Sequence, residues 1–141
     1  MLVREVRLDC GRETWVFART LIPLRGIRGA VLGLTQLGHR PLGEVLFANP
    51  TTRRLRVEVA RILPRHHLFA RATAHLGRRP AALCGRRTLF EYGGCPILVN
   101  ELFLPAMPPY VPWHGFWVAF TGVAEIAAGE FPGAVNLYRP A

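Results

Sequence analysis

Three stretches of this chain alternate apolar and polar residues, and each carries an ionisable side chain on its apolar face. Leu2 to Asp9 sets Leu2, Arg4, Val6 and Leu8 against Val3, Glu5, Arg7 and Asp9. Thr14 to Ile22 brings Trp15, Phe17, Arg19 and Leu21 into line. Cys95 to Leu104 places Ile97, Val99, Glu101 and Phe103 together. A period of two specifies half-buried β-strands. Arg4, Arg19 and Glu101 therefore stand where core residues are expected. An unpaired buried charge costs several kcal/mol, so each needs a partner. One explanation is internal pairing, for example Glu101 with Arg19. The other is a ligand cavity on the covered face of the sheet. There two guanidinium forks would grip carboxylates and the glutamate would handle a proton or a hydroxyl. Two positive charges against one negative call for an anionic ligand.

The remaining pattern completes an α+β reading. The first two strands are expected to pair as a hairpin across Cys10-Gly11-Arg12-Glu13. Arg28 to Leu37 is helix-compatible, with Val31 and Leu34 apolar and Gly38 as a stop. Pro41-Leu42-Gly43 opens a short helix or turn over Glu44 to Phe47, closed by Asn49-Pro50. Leu55 to Leu63 is a strand, with Leu55, Val57 and Val59 opposing Arg56, Glu58 and Ala60. Arg65 to Leu76 is a short helix, and Leu83 to Glu91 a fourth strand. Tyr92-Gly93-Gly94 turns the chain into the strand that holds Glu101. The expected architecture is an antiparallel β-sheet with short helices packed on one face. Residues 1–110 form the body. Residues 111–141 differ in composition, and Phe116, Trp117, Phe120, Val123, Ala124 and Ala127 fall near one helical stripe. That extension is expected to be one helix and a Gly/Pro-punctuated tail.

Composition narrows the class. Half the residues are hydrophobic and 19% are charged, enough for a sizeable core. Residues 1–110 hold seventeen Arg against seven acids, and the chain has no Lys. A basic body suits an anionic partner. Absence of Lys and scattered arginines argue for coding bias rather than a phosphate-binding surface, so no nucleic-acid partner is expected. The longest stretch free of Asp, Glu, Arg and Lys, Leu102 to Ala124, contains four prolines and makes a poor membrane span. No secretory signal opens the chain, and a reducing cytoplasm is the expected location. Cys10, Cys84 and Cys95 fit no metal or redox spacing; Cys84 and Cys95 read as core thiols or hairpin neighbours. His66, His67 and His75 lack a carboxylate or Cys to complete a metal set, so no metal site is expected. No P-loop, dinucleotide fingerprint or Ser-His-Asp order is present.

Several blocks are specific when taken together. They are Arg4-Glu5-Val6, Phe17-Ala18-Arg19-Thr20, Leu37-Gly38-His39-Arg40-Pro41-Leu42-Gly43-Glu44-Val45-Leu46-Phe47, and Asn100-Glu101-Leu102-Phe103-Leu104-Pro105-Ala106. In order and spacing, from about Leu2 to Tyr110, the sequence resembles the chorismate pyruvate-lyases, the family that makes 4-hydroxybenzoate at the entry to ubiquinone biosynthesis. The resemblance implies an antiparallel sheet with helices enclosing the ligand beneath flaps, and a reaction needing no cofactor. It implies that Arg4 binds the ring carboxylate with the backbone N–H of Leu42. Glu101 would meet the ring hydroxyl, and Arg19 would sit beside the departing enolpyruvyl group, close to Glu101. The expected catalytic residues are thus Glu101 and Arg19, with Arg4, Leu42 and Glu101 binding substrate.

The implied chemistry suits these groups. Chorismate carries two carboxylates, which two arginines would hold in one orientation. Breaking the C3–O bond and losing the C4 proton aromatises the ring. The protein then has to position the substrate, stabilise charge on the leaving enolpyruvate and offer a base. The family has further N-terminal elements before the position of Leu2, and the tail beyond Tyr110 does not resemble it. The expected partners are chorismate and 4-hydroxybenzoate, bound by a monomer with no membrane insertion. The alternatives are a non-catalytic small-carboxylate-binding module, a use of the same fold in transcription regulators, and an inactive truncated relative.

Overall fold

The computed structural model describes residues 1–38 and 40–108, together with the backbone of residues 134–138. The alternating stretches all form strands. β1 is Leu2–Cys10, β2 Glu13–Ile22, β3 Arg53–Ile62, β4 Leu83–Tyr92 and β5 Cys95–Phe103. A further strand, β6 (Ala134–Tyr138), pairs antiparallel with β3. The sheet order is β1-β2-β5-β4-β3-β6, with every neighbouring pair antiparallel. The β4–β5 hairpin turns on Gly93 and Gly94, with φ of +55° and +72°. Two successive left-handed residues match the twist of the flanking strands, and glycine adopts them without a Cβ clash.

Two α-helices are short: α1, Leu42–Ala48, and α2, His67–Thr73. The stretch expected as a helix near Val31 winds as a tighter 3-10 helix over Gly29–Gln36. Gly29 and Gly33 weaken its α-helical propensity, yet Val31 and Leu34 still point inward and are buried. The helical segments divide between the two faces of the sheet. The 3-10 helix and α1 cover one face, where Leu34, Leu42 and Leu46 pack with Ile22, Phe90 and Ile97. α2 covers the other, where Leu68, Phe69 and Ala72 pack with Phe17, Leu83 and Leu102. The α+β class with an antiparallel sheet and short helices holds. The single covered face does not, because Trp15, Phe17 and Leu21 lie opposite Val16, Ala18 and Ile22 and need a cover of their own.

Cys84 pairs in register with Phe103, and Cys95 with Tyr92. The two thiols therefore sit at opposite ends of the hairpin and are not neighbours; burial pushes both thiols up from the usual range. Among the described residues no three His, Cys, Asp or Glu side chains come together in a way that would hold a metal ion. No described helix is long and apolar enough to cross a membrane. The helix expected within residues 111–141 falls largely outside the described residues.

His66 caps α2: its ring Nδ1 accepts from the Leu68 backbone N–H at 3.2 Å. Burial, and secondarily the neighbouring His67, holds its pKa below the usual value. Protonation would turn the acceptor into a donor and break the cap. An imidazole kept neutral by folding gives stability that is present above the unfolded pKa of about 6.5 and lost as pH falls below it. We expect the melting temperature to drop more steeply below that pH in the wild type than in His66→Asn, whose amide caps without titrating. Parallel melting curves across the pH range would show that His66 is not the group responsible.

Candidate active site

The face covered by α1 encloses a cavity of about 950 Å³. Its floor is the sheet: Arg4 and Val6 from β1, Ala18 and Thr20 from β2, Val99 and Glu101 from β5, Arg86, Thr88 and Phe90 from β4, and Arg54 from β3. Its wall is Gly38, Arg40 and Pro41 together with Leu42, Leu46 and Phe47 of α1. Register explains the company. Arg4 stands opposite Thr20, Ala18 opposite Glu101, and Glu101 opposite Arg86. Directly paired residues project from the same face, so Arg4, Glu101 and Arg86 share the cavity. From this face Arg4, Arg40, Arg54 and Arg86 border it against Glu101, leaving a positive surplus.

Arg4 is half-buried and anchored. Its Nη2 donates to the carbonyl oxygens of Gly38 at 3.1 Å and Arg40 at 3.0 Å. These bonds tie β1 to the loop that leads into α1. Nη1 and Nε make no hydrogen bond to described residues, which leaves guanidinium donors for a ligand carboxylate. Leu42 is the first residue of α1, capped by Pro41 without a side-chain hydrogen bond. Its N–H belongs to the first turn, whose donors have no intrahelical acceptor.

Glu101 is paired internally, but with Arg86 rather than Arg19. Arg86 Nε donates to Glu101 Oε2 at 2.7 Å, and the two side chains are 15% and 21% exposed. The Arg86 guanidinium also lies over the Phe103 ring at 5.8 Å. The carboxylate is thus fixed by a charge-assisted bond on a β-bridge position. One oxygen is engaged by Arg86 Nε, and the group borders the cavity.

Arg19 does not enter the cavity, and the expectation that it neighbours Glu101 is corrected. It pairs in register with Glu5 on one side and Asn100 on the other, so it points to the α2 face. Arg19 Nη1 lies 3.6 Å from Glu5 Oε1, and Arg71 of α2 holds the same carboxylate through Nε at 2.8 Å and through Nη2. The buried Arg19 Nε has no hydrogen-bond partner among the described residues. The error is one of parity. Arg19 and Ala18 are adjacent in sequence, and it is Ala18 that stands opposite Glu101.

Two arginines of the cavity floor, Arg86 and Arg54, escaped the sequence reading. Arg86 had a readable signal: it alternates with Cys84, Thr88 and Phe90 on β4, as Glu101 does on β5. Arg54 had none, because simple alternation puts it with Arg56 on the polar side. A register shift between Arg54 and Arg56 turns it to the cavity face opposite Phe90.

The family profile described as chorismate lyase matches residues 1–110. The chain belongs to the chorismate lyase family. A protein of Nitrosomonas europaea named probable chorismate pyruvate-lyase is 45% identical over 106 residues, which is 75% of this chain and 60% of that protein. One of Thiobacillus denitrificans with the same name is 42% identical over 105 residues, covering 74% and 56%. One of Ralstonia nicotianae is 40% identical over 115 residues, covering 79% and 59%. The chain spans about 60% of the length of these curated relatives. Among solved structures, the ligand-binding domain of a protein assigned to the GntR family of transcriptional regulators, from Bordetella bronchiseptica, has a similar fold. Its TM-score is 0.51 at 18% identity, covering 79% of this chain and 72% of that one.

Proposed function

We propose that this chain eliminates pyruvate from chorismate to give 4-hydroxybenzoate, the aromatic precursor of ubiquinone, as a cofactor-independent monomeric enzyme of the cytoplasm. The observation that carries the reading is Glu101, a carboxylate fixed by Arg86 in a cavity otherwise bordered by a surplus of arginines, in a chain of this family.

In this reading Arg4 binds the ring carboxylate with its unengaged donors, aided by the Leu42 N–H. Glu101 lies over the opposite end of the ring and takes the C4 proton. The electron pair of that C–H bond becomes a ring double bond as the C3–O bond breaks. The enolpyruvyl oxygen leaves with the pair that held it, and the resulting enolate gains a proton at carbon to become pyruvate. Arg86, next to Glu101, supplies the positive charge near the leaving oxygen, the task the sequence assigned to Arg19. Preorganised charges on the strand floor need no rearrangement during the reaction.

The test is incubation of the 141-residue chain with chorismate, following pyruvate by a coupled dehydrogenase and 4-hydroxybenzoate by its ultraviolet absorbance. Equal release of both products is expected. The fold likeness to a regulator's ligand-binding domain supports a second reading, a sensor of small carboxylates. Saturable binding of chorismate with no pyruvate formed would favour the sensor.

A further inference from the structure

The bulge in β3 aims a cation into the cavity at a point where no acid among the described residues forms an ion pair with it. Arg54 lies opposite Phe90, and the register slips by one residue before Arg56. Bulges of this kind re-aim a side chain, and they recur beside active sites. Without the slip Arg54 would share the face of Arg56, which together with Arg87 engages Glu58 on the other side of the sheet. With it, Arg54 borders the cavity. Its guanidinium carbon sits 5.7 Å from the Phe90 ring centroid and 6.0 Å from that of Phe47. The two rings meet edge to face at 6.2 Å and 78°, so the guanidinium is held between strand and helix by aromatic faces.

Aromatic faces hold a cation weakly and leave its N–H donors unused. Arg54 makes no hydrogen bond or ion pair among the described residues. Its electrostatic surroundings are adverse: burial and the nearby Arg86 charge both disfavour the cationic form, and Glu101 offsets them only in part. A guanidinium set against two rings, with its N–H donors unused by described residues, is suited to bind a carboxylate bidentately.

We propose that Arg54 is the second carboxylate-binding residue of the cavity. It grips the side-chain carboxylate of a dicarboxylic substrate, while Arg4 takes the carboxylate on the ring. This deepens the proposed function and rests on it. Elimination transfers the side-chain carboxylate to pyruvate and leaves the ring carboxylate on the aromatic product. Arg54 is therefore a specificity residue that separates substrate from product: it holds the first and has nothing to hold on the second.

The experiment compares wild type with Arg54→Met, which keeps an unbranched side chain against Phe47 and Phe90. Calorimetric affinities for chorismate and 4-hydroxybenzoate are measured alongside KM and kcat, and a thermal melt confirms folding. Loss of one charge-assisted pair is expected to weaken chorismate binding and raise KM by about 10- to 100-fold. The affinity for 4-hydroxybenzoate is expected to stay nearly constant. Arg54→Lys is expected to restore part of the chorismate affinity. Equal weakening of both ligands, or no change in either, overturns the assignment. If the wild type binds neither ligand, the proposed function itself fails, an outcome visible before any variant is examined.

Discussion

Glu101→Gln is expected to lower the turnover of chorismate by about 100-fold or more, the contribution of a positioned general base. The substitution is nearly isosteric. A glutamine oxygen still accepts the bond that Arg86 Nε now gives to Glu101 Oε2 at 2.7 Å, so the strand floor keeps its shape. What disappears is the ability to take a proton. Some stability goes with the charge, on the order of 1 kcal/mol, because the bond to Arg86 becomes one to a neutral acceptor. The kinetic split separates two roles for the same side chain. A base leaves kcat crippled when it is removed and KM little altered. A group that merely accepts a hydrogen bond from the ring hydroxyl is replaced by the amide, so KM moves and kcat survives. Steady-state kinetics of a variant that melts cooperatively decides between them, and an unchanged kcat removes Glu101 from the chemistry.

The strands were legible because period-two patterning is a direct image of burial. Leu2, Arg4, Val6 and Leu8 read as one face and stand as one face. That Arg4 and Glu101 face a cavity was legible, since a charge on an apolar strand face calls for a partner or a ligand. The identity of the partners was not. Alternation says which residues of a strand travel together; it does not say which face of one strand joins which face of the next. That is set by register, and a single step decides it. The Arg19 set was therefore assigned to the cavity although register turns it toward α2, where Glu5 and Arg71 answer it. Arg54 was hidden for a different reason. Its direction depends on a bulge, which interrupts the pattern from which directions are read. The 3-10 winding of Gly29–Gln36 was also out of reach, because inward positions three residues apart fit either helix.

The opposed faces make the last prediction, the largest expected loss of stability. Phe69→Ala is expected to cost about 3–5 kcal/mol, as for other buried aromatic truncations. Phe69 is 2% exposed and packs among Phe17, Leu68, Leu83, Leu102 and Leu104. It lies within a seven-residue helix, too short to persist without its packing. A loss of that size takes a large share of the stability of an ordinary domain and lowers the melting temperature by roughly 10–20 °C in a chain of this length. Refilling by neighbours is limited, since Ala72 beside it is fully buried with no side chain to swing. The cavity lies across the sheet from this cluster and shares no lining residue with it. Turnover per folded molecule, measured well below the new midpoint, is therefore expected to stay close to that of the wild type. Leu46→Ala supplies the contrast. Leu46 is also 2% exposed, but it belongs to the α1 cluster and borders the cavity, so stability and turnover fall together. A loss of turnover in fully folded Phe69→Ala would mean that the α2 face governs the geometry of the cavity, and the separation of the two layers would have to be abandoned.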